Sequence, residues 1–126
     1  MKKVLAVDDN NDILEFIETV LEDSDLEIIT ASDGEEGLSK AQTLIPDLII
    51  LDVEMPKMDG FAVFKELKSL PETRNIPIII LTGIEERLGF NFTKEEMGNF
   101  YGNEPDVYLD KPIDPGKLLK FVKELI

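Results

Sequence analysis

Three short segments, Val4-Leu5-Ala6-Val7, Leu48-Ile49-Ile50-Leu51 and Ile78-Ile79-Ile80-Leu81, are apolar at every position rather than at every second one. A strand with one wet face alternates, whereas a strand covered on both faces does not, so runs of this kind point to a parallel sheet enclosed by helices. The sequence between the runs supplies those helices. Ile13, Phe16, Ile17, Val20 and Leu21 recur at helical spacing, and a second helix fits from Asp33 to about Leu44 with Leu38, Ala41 and Leu44 inward. Glu27 to Ala31 is left between them as a strand. Phe61, Phe64 and Leu67 mark a third helix, closed by Leu70-Pro71, and Val107 to Leu109 is a short fifth strand. Asp114-Pro115 then supplies an N-cap and a first-turn proline for a last helix carrying Leu118, Phe121, Val122 and Leu125.

The resulting order, βαβαβαβ followed by a less regular stretch and then βα, predicts a single α/β domain over residues 1–126, a doubly wound five-stranded parallel sheet with helices on both faces. Other classes fall away on composition. No cysteine and no histidine is present, which excludes disulfides, thiolate nucleophiles, imidazole bases and the usual zinc sites. With 27 acidic against 13 basic side chains the formal charge is −14, which repels phosphate backbones and argues against nucleic acid as a partner of this domain. The run after Met1-Lys2-Lys3 stops at two aspartates and is too short for a signal peptide or a membrane span, so a cytoplasmic protein is expected.

Ligands of such sheets bind outside the carboxyl ends of the strands. There the first strand offers Asp8-Asp9, the third Asp52, the fourth Thr82-Gly83 and the fifth Asp110-Lys111-Pro112. Brought into one crevice, carboxylates about 4 Å apart repel by roughly 4 kcal/mol at an effective dielectric near 20, which forces proton uptake or demands a cation. Hard oxygen donors with room for water suit Mg2+, and Mn2+ also fits. With Lys111 as a point charge and Thr82 as a hydroxyl donor, phosphoryl transfer needs only an in-line nucleophile, and Asp52 is the best-placed carboxylate.

Six segments stand in order along the chain: Val7-Asp8-Asp9-Asn10, Asp33-Gly34-Glu35-Glu36-Gly37-Leu38, Pro46-Asp47-Leu48-Ile49-Ile50-Leu51-Asp52, Met55-Pro56-Lys57-Met58-Asp59-Gly60, Leu81-Thr82-Gly83 and Tyr108-Leu109-Asp110-Lys111-Pro112-Ile113. Through them the chain resembles the receiver domain of two-component response regulators. The resemblance implies the flavodoxin-like strand order 2-1-3-4-5. It makes Asp52 the phosphoacceptor, Asp9 a direct Mg2+ ligand, Asp8 a ligand acting largely through water, and Glu54 a donor of its backbone carbonyl to the metal. Thr82 and Lys111 would hold phosphoryl oxygens, Lys111-Pro112 would be a cis peptide, and Thr82 and Tyr108 would form the switch pair.

Simpler roles exist for each residue. Asp8 to Asp12 lie where a helix N-terminus favours carboxylates, and capping accounts for Asn10, Asn11 and Asp12. The same stretch imitates a calcium loop, but Ile13 and Thr19 stand where glycine and glutamate are required. Tyr108 could simply pack, and Lys117, Lys120 and Lys123 read as a solvated helix face. From Gly83 to Pro105 the family pattern loosens: a short, late helix can be placed with Thr93 and Glu96 as its capping box, Phe92 and Met97 as its staple and Gly102 as its end, and the aromatics Phe90, Phe92, Phe100 and Tyr101 would cover a sheet edge or form a binding surface. Glu104-Pro105 replaces the small residues usual before the fifth strand.

The leading functional expectation is a phosphorylation-controlled switch. Asp52 takes a phosphoryl group from a sensor histidine kinase or histidine phosphotransfer protein and shifts the surface formed by the fourth helix, fifth strand and fifth helix toward a downstream protein target. Inverting such an equilibrium from 1:99 to 99:1 takes about 5.5 kcal/mol. The domain would be no conventional enzyme, although it would catalyse its own phosphorylation and dephosphorylation. If Ile126 is the natural end, the readout is protein binding; if it is a cut end, a longer regulator is expected. Two alternatives compete: a metal-dependent phosphatase with an aspartyl nucleophile, which typically carries Asp-x-Asp after the first strand, and a receiver-like module that is never phosphorylated.

Overall fold

The structure is a computed structural model that describes residues 1–22, 25–55, 58–82 and 107–126. The described elements are β1 (Lys2–Val7), α1 (Asn11–Leu21), β2 (Leu26–Ala31), α2 (Gly34–Leu44), β3 (Leu48–Asp52), α3 (Gly60–Ser69), β4 (Ile78–Thr82), β5 (Val107–Asp110) and α4 (Pro115–Leu125). Every strand pairing is parallel and the order is β2-β1-β3-β4-β5, the flavodoxin-like arrangement expected. The helix placed at Thr93–Gly102, its aromatic neighbours, Gly83 and Glu104-Pro105 lie outside the described residues.

The apolar runs are strands because both of their faces are covered. Alternate residues divide them between two cores. Leu5, Val7, Ile49, Leu51, Ile78 and Ile80 join Val63, Phe64 and Leu67 beneath α2 and α3. Val4, Ala6, Leu48, Ile50, Ile79 and Leu81 join Leu14, Ile17, Leu118 and Val122 beneath α1 and α4. Each fully buried aliphatic side chain contributes roughly 1.5–3 kcal/mol relative to exposure. The strands run slightly beyond their apolar runs, from Lys2 at the start of β1 to Asp52 and Thr82 at the ends of β3 and β4. Backbone pairing does not require apolar side chains.

Each described helix opens on a capping side chain. Asn10, Asp33, Asp59 and Asp114 accept the backbone N–H of Asp12, Glu36, Ala62 and Lys117 respectively, satisfying donors that helix geometry leaves free. Asp33, expected as the start of α2, is therefore its cap. At the other end of α2, Ile45 adopts the left-handed conformation with φ 44° and returns its N–H to the Ala41 carbonyl at 3.0 Å.

Candidate functional site

Register decides which residues meet. Val7 lies beside Leu51, Asp52 beside Leu81, and Thr82 beside Asp110. The residues that end β1, β3, β4 and β5 are thus level, and the side chains beyond them share one rim of the sheet. Asp8, Asp9 and Asp52 each place a carboxylate oxygen within 4.8 Å of the other two. Asp8 and Asp52 are buried and Asp9 is exposed, so the cluster faces solvent through Asp9.

Lys111 reaches into this cluster across 103 residues of sequence. Its Nζ stands 3.0 Å from Asp8 Oδ2 and 3.1 Å from Asp52 Oδ1. Its backbone N–H donates to the Thr82 carbonyl at 2.8 Å, which fixes the loop after β5 against the end of β4. The Lys111-Pro112 peptide is cis, as the resemblance implied. The other Asp8 oxygen accepts the Asn10 N–H at 2.9 Å, tying the loop after β1 to the start of α1. Thr82 is buried, and Tyr108 packs partly buried against the core beneath α2 and α3.

Two glycines let backbone come close to this rim. A Cβ on Gly60 would strike the carbonyl oxygen of Asp52, and one on Gly34 the carbonyl oxygen of Met58. Gly60 also donates its N–H to the Val53 carbonyl at 2.9 Å, so the first turn of α3 rests on the residues around Asp52. The Asp59-Gly60 pair is visible in the sequence, but that contact depends on how the chain returns over β3.

The charges are not balanced. Three carboxylates against one ammonium leave two negative charges. Burial, followed by repulsion from Asp8, pushes the Asp52 carboxyl up to about 6, against the opposing pull of Lys111. Burial likewise raises Asp8, despite its bonds to Asn10 and Lys111. Burial works against the Lys111 charge, but attraction to Asp52 and Asp8 prevails and raises its pKa. An oxygen-only donor set with two surplus negative charges and one solvent-facing member fits a hard divalent cation that keeps several waters, which describes Mg2+ better than a metal needing a full protein cage.

Comparison with known proteins shows what the chain as a whole is similar to. The family profile described as "Response regulator receiver domain" matches residues 4–123. The chain is 40% identical over 127 residues to the alkaline phosphatase synthesis transcriptional regulatory protein PhoP of Bacillus subtilis, covering 99% of this chain and 48% of that protein. It is 37% identical to response regulator PleD of Caulobacter vibrioides, covering 98% of this chain and 26% of that one. The chain therefore spans about half the length, or less, of these curated relatives. Among solved structures, the chemotaxis response regulator CheY4 of Vibrio cholerae superposes with a TM-score of 0.81 at 35% identity, covering 100% of this chain and 99% of that one. The receiver domain of Francisella response regulator 1452 gives 0.82 at 32%, covering 99% and 96%.

Proposed function

The chain belongs to the receiver-domain family of two-component response regulators, and on that premise we propose that Asp52 is its phosphoacceptor, with Asp8, Asp9 and the Glu54 backbone carbonyl completing a Mg2+ site and Lys111 and Thr82 holding the phosphoryl oxygens. The observation that carries this reading is the Lys111 ammonium held between Asp8 and Asp52, 3.0 and 3.1 Å away, at a rim where Asp9 is open to solvent. One ammonium there can serve the resting carboxylates and then an incoming phosphoryl group.

The donor is a phosphohistidine on a sensor kinase or phosphotransfer protein, or a small acyl phosphate, since these 126 residues include no histidine to carry the group. An Asp52 carboxylate oxygen attacks phosphorus in line with the bond to the donor nitrogen. The P–O bond forms as the P–N bond breaks, and the imidazole leaves with the bonding pair and gains a proton. The acyl phosphate is later hydrolysed by water, returning the carboxylate and inorganic phosphate. Burial, and then repulsion from Asp8, raises the Asp52 pKa to about 6 and so penalises its ionised, nucleophilic form; positive charge close by offsets that penalty. When bound, Mg2+ supplies that charge and stabilises the transferring phosphoryl oxygens. Lys111, already within ion-pair reach of Asp52 Oδ1, supplies the charge that the protein itself provides. Thr82 stands next to Leu81, the partner of Asp52 in the ladder, so its hydroxyl is one strand away from the new group.

Tyr108 lies on β5 beside Ile80 of β4, and with Thr82 it forms the switch pair that changes the surface of β5 and the adjacent helices. A downstream protein reads that surface, and the domain acts in the cytoplasm. Among the described residues no helix is long and apolar enough to cross a membrane. The family match disfavours the phosphatase alternative.

Intact-mass analysis after incubation with acetyl phosphate and Mg2+ tests the proposal. The wild type should gain one phosphoryl group and Asp52→Asn none. Multiple turnover of unrelated phosphate esters would support a phosphatase instead, and an unmodified wild type would leave only an interaction module.

A further inference from the structure

The sheet has an edge that this chain leaves open. Strands β3 and β4 are buried at every residue, whereas only Ala31 of the six residues in β2 is buried. Among the described residues β2 pairs only with β1, so its other side presents backbone donors and acceptors without a strand partner. Ala31 gives its carbonyl inward, to the N–H of Asp8, and Thr30 gives its carbonyl outward, to Lys40 Nζ at 2.6 Å. Since neighbours in a strand alternate, Ile28 and Leu26 share the outward direction of Thr30. Lys40 closes the carboxyl end of the edge. Nothing described closes the part around Leu26 and Ile28.

Beside that open part runs a groove of about 450 Å3 between β2 and α1, floored by Leu26 and Ile28 and walled by Glu15, Glu18, Thr19 and Glu22. The three glutamates are exposed, and none takes part in the described ion pairs, which are Lys40–Glu36, Lys111–Asp8 and Lys111–Asp52. Helix α1 contains no basic residue. Glu15, Glu18 and Glu22 stand three and four residues apart, where like charges oppose one another on a helix surface. A second copy of this chain would bring the same acidic wall to the groove on a molecule already at −14, and nucleic acid is repelled for the same reason. A strand edge supplies pairing without side-chain preference; the acidic wall supplies the preference.

We propose that the α1–β2 groove docks an extended, lysine-rich segment of a partner protein, which adds to the sheet as a strand along Leu26 and Ile28 with its basic side chains against Glu15, Glu18 and Glu22. This is the strand-addition mode of peptide recognition, in which main-chain bonds give affinity and alternate side chains give specificity. The groove is built from the edge strand and the flank of α1, not from the carboxylate rim, so docking goes beyond phosphorylation and persists in Asp52→Asn.

The probe is a synthetic nine-residue peptide of alternating lysine and valine, with its glutamate and valine counterpart as control. Both are titrated into Asp52→Asn protein in saturating Mg2+, so that the rim does not attract the lysines. The basic peptide should bind at least about tenfold more tightly than the acidic one, weaken with salt, and slow amide exchange of Ile28 by about tenfold or more. A triple Glu15→Gln, Glu18→Gln, Glu22→Gln variant with unchanged β2 amide resonances should lose about tenfold in affinity together with that protection. Equal binding of both peptides, binding that leaves the Ile28 amide unprotected, or full protection in the triple variant would each overturn the proposal.

Discussion

Asp52→Asn should make the metal-free protein more stable near neutral pH, although it removes one partner of an ion pair. The unfolded carboxyl loses its proton near 3.8, whereas in the fold burial, and then the neighbouring Asp8, hold it to about 6. Between those values the folded state binds the extra proton, so stability falls as pH rises through the window, and above it the full penalty remains. The interval from 3.8 to about 6 corresponds to roughly 3 kcal/mol at 1.36 kcal/mol per pKa unit. Lys111 loses one ionic partner in the variant but keeps Asp8 at 3.0 Å, so part of that gain is offset. A net gain of about 1–3 kcal/mol, or roughly 4–10 °C in the unfolding midpoint, is expected for a domain of this size. Thermal unfolding followed by circular dichroism, with EDTA at about pH 7.5 and again near pH 4, measures it. The variant should lead at the higher pH, the difference should nearly vanish at the lower one, and millimolar Mg2+ should stabilise the wild type more than the variant. A variant no more stable than wild type at the higher pH, or a difference that persists near pH 4, would refute the electrostatic account.

Other consequences can be checked with the same unfolding measurements. Gly60→Ala sets a Cβ against the Asp52 carbonyl and Val53 Cα, both backbone atoms that cannot step aside, so it should cost more than about 2 kcal/mol and also lower the yield of phosphorylated protein. Ile45→Gly should stabilise by roughly 0.5–1 kcal/mol, because an exposed β-branched residue at φ 44° gives way to one that adopts that conformation freely. Asp59→Ala removes the cap that accepts the Ala62 N–H at 2.9 Å and should cost about 1 kcal/mol. Lys111→Ala leaves two buried carboxylates without their cation. It should cost about 2–4 kcal/mol near pH 7.5 and clearly less near pH 5, below the value of about 6 to which the Asp52 carboxyl is raised.

The strands were legible wherever burial was symmetrical. Runs such as Leu48-Ile49-Ile50-Leu51 report a chain enclosed on both sides, and they coincide with β1, β3 and β4. The edge strand β2 was weaker in the sequence because only its last residue is buried. Asp8, Asp52, Thr82 and Lys111 could be placed together in advance because each stands at or just beyond the carboxyl end of a strand and parallel strands end on one rim. Individual contacts could not. That Lys111 bonds Asp8 as well as Asp52 depends on the register of β4 against β5, and that Ile45 closes α2 in the left-handed conformation runs against its own preference. No local signal encodes a conformation imposed by the chain's return to β3.

The same charges bear on how a phosphoryl group at Asp52, the proposed acceptor, would act at a distance. The resting rim already carries two more negative charges than Lys111 can neutralise, and phosphorylation exchanges a carboxylate for a group carrying nearly two. Such a group is tolerable only if cations and donors move to it. Asp8 and Asp9 are restrained by β1 and the start of α1, with Asp8 bonded to the Asn10 amide. On the proposed function Lys111, a long side chain on the loop after β5, would turn from Asp8 toward the phosphoryl oxygens, and a cation held by Asp8 and Asp9 would compensate Asp8. The Lys111 amide anchors that loop to the Thr82 carbonyl, so a pull on Lys111 and a reorientation of Thr82 act on the same junction. The conformational response is thus expected at β4 and β5, while β2 and the far flank of α1 stay as they are.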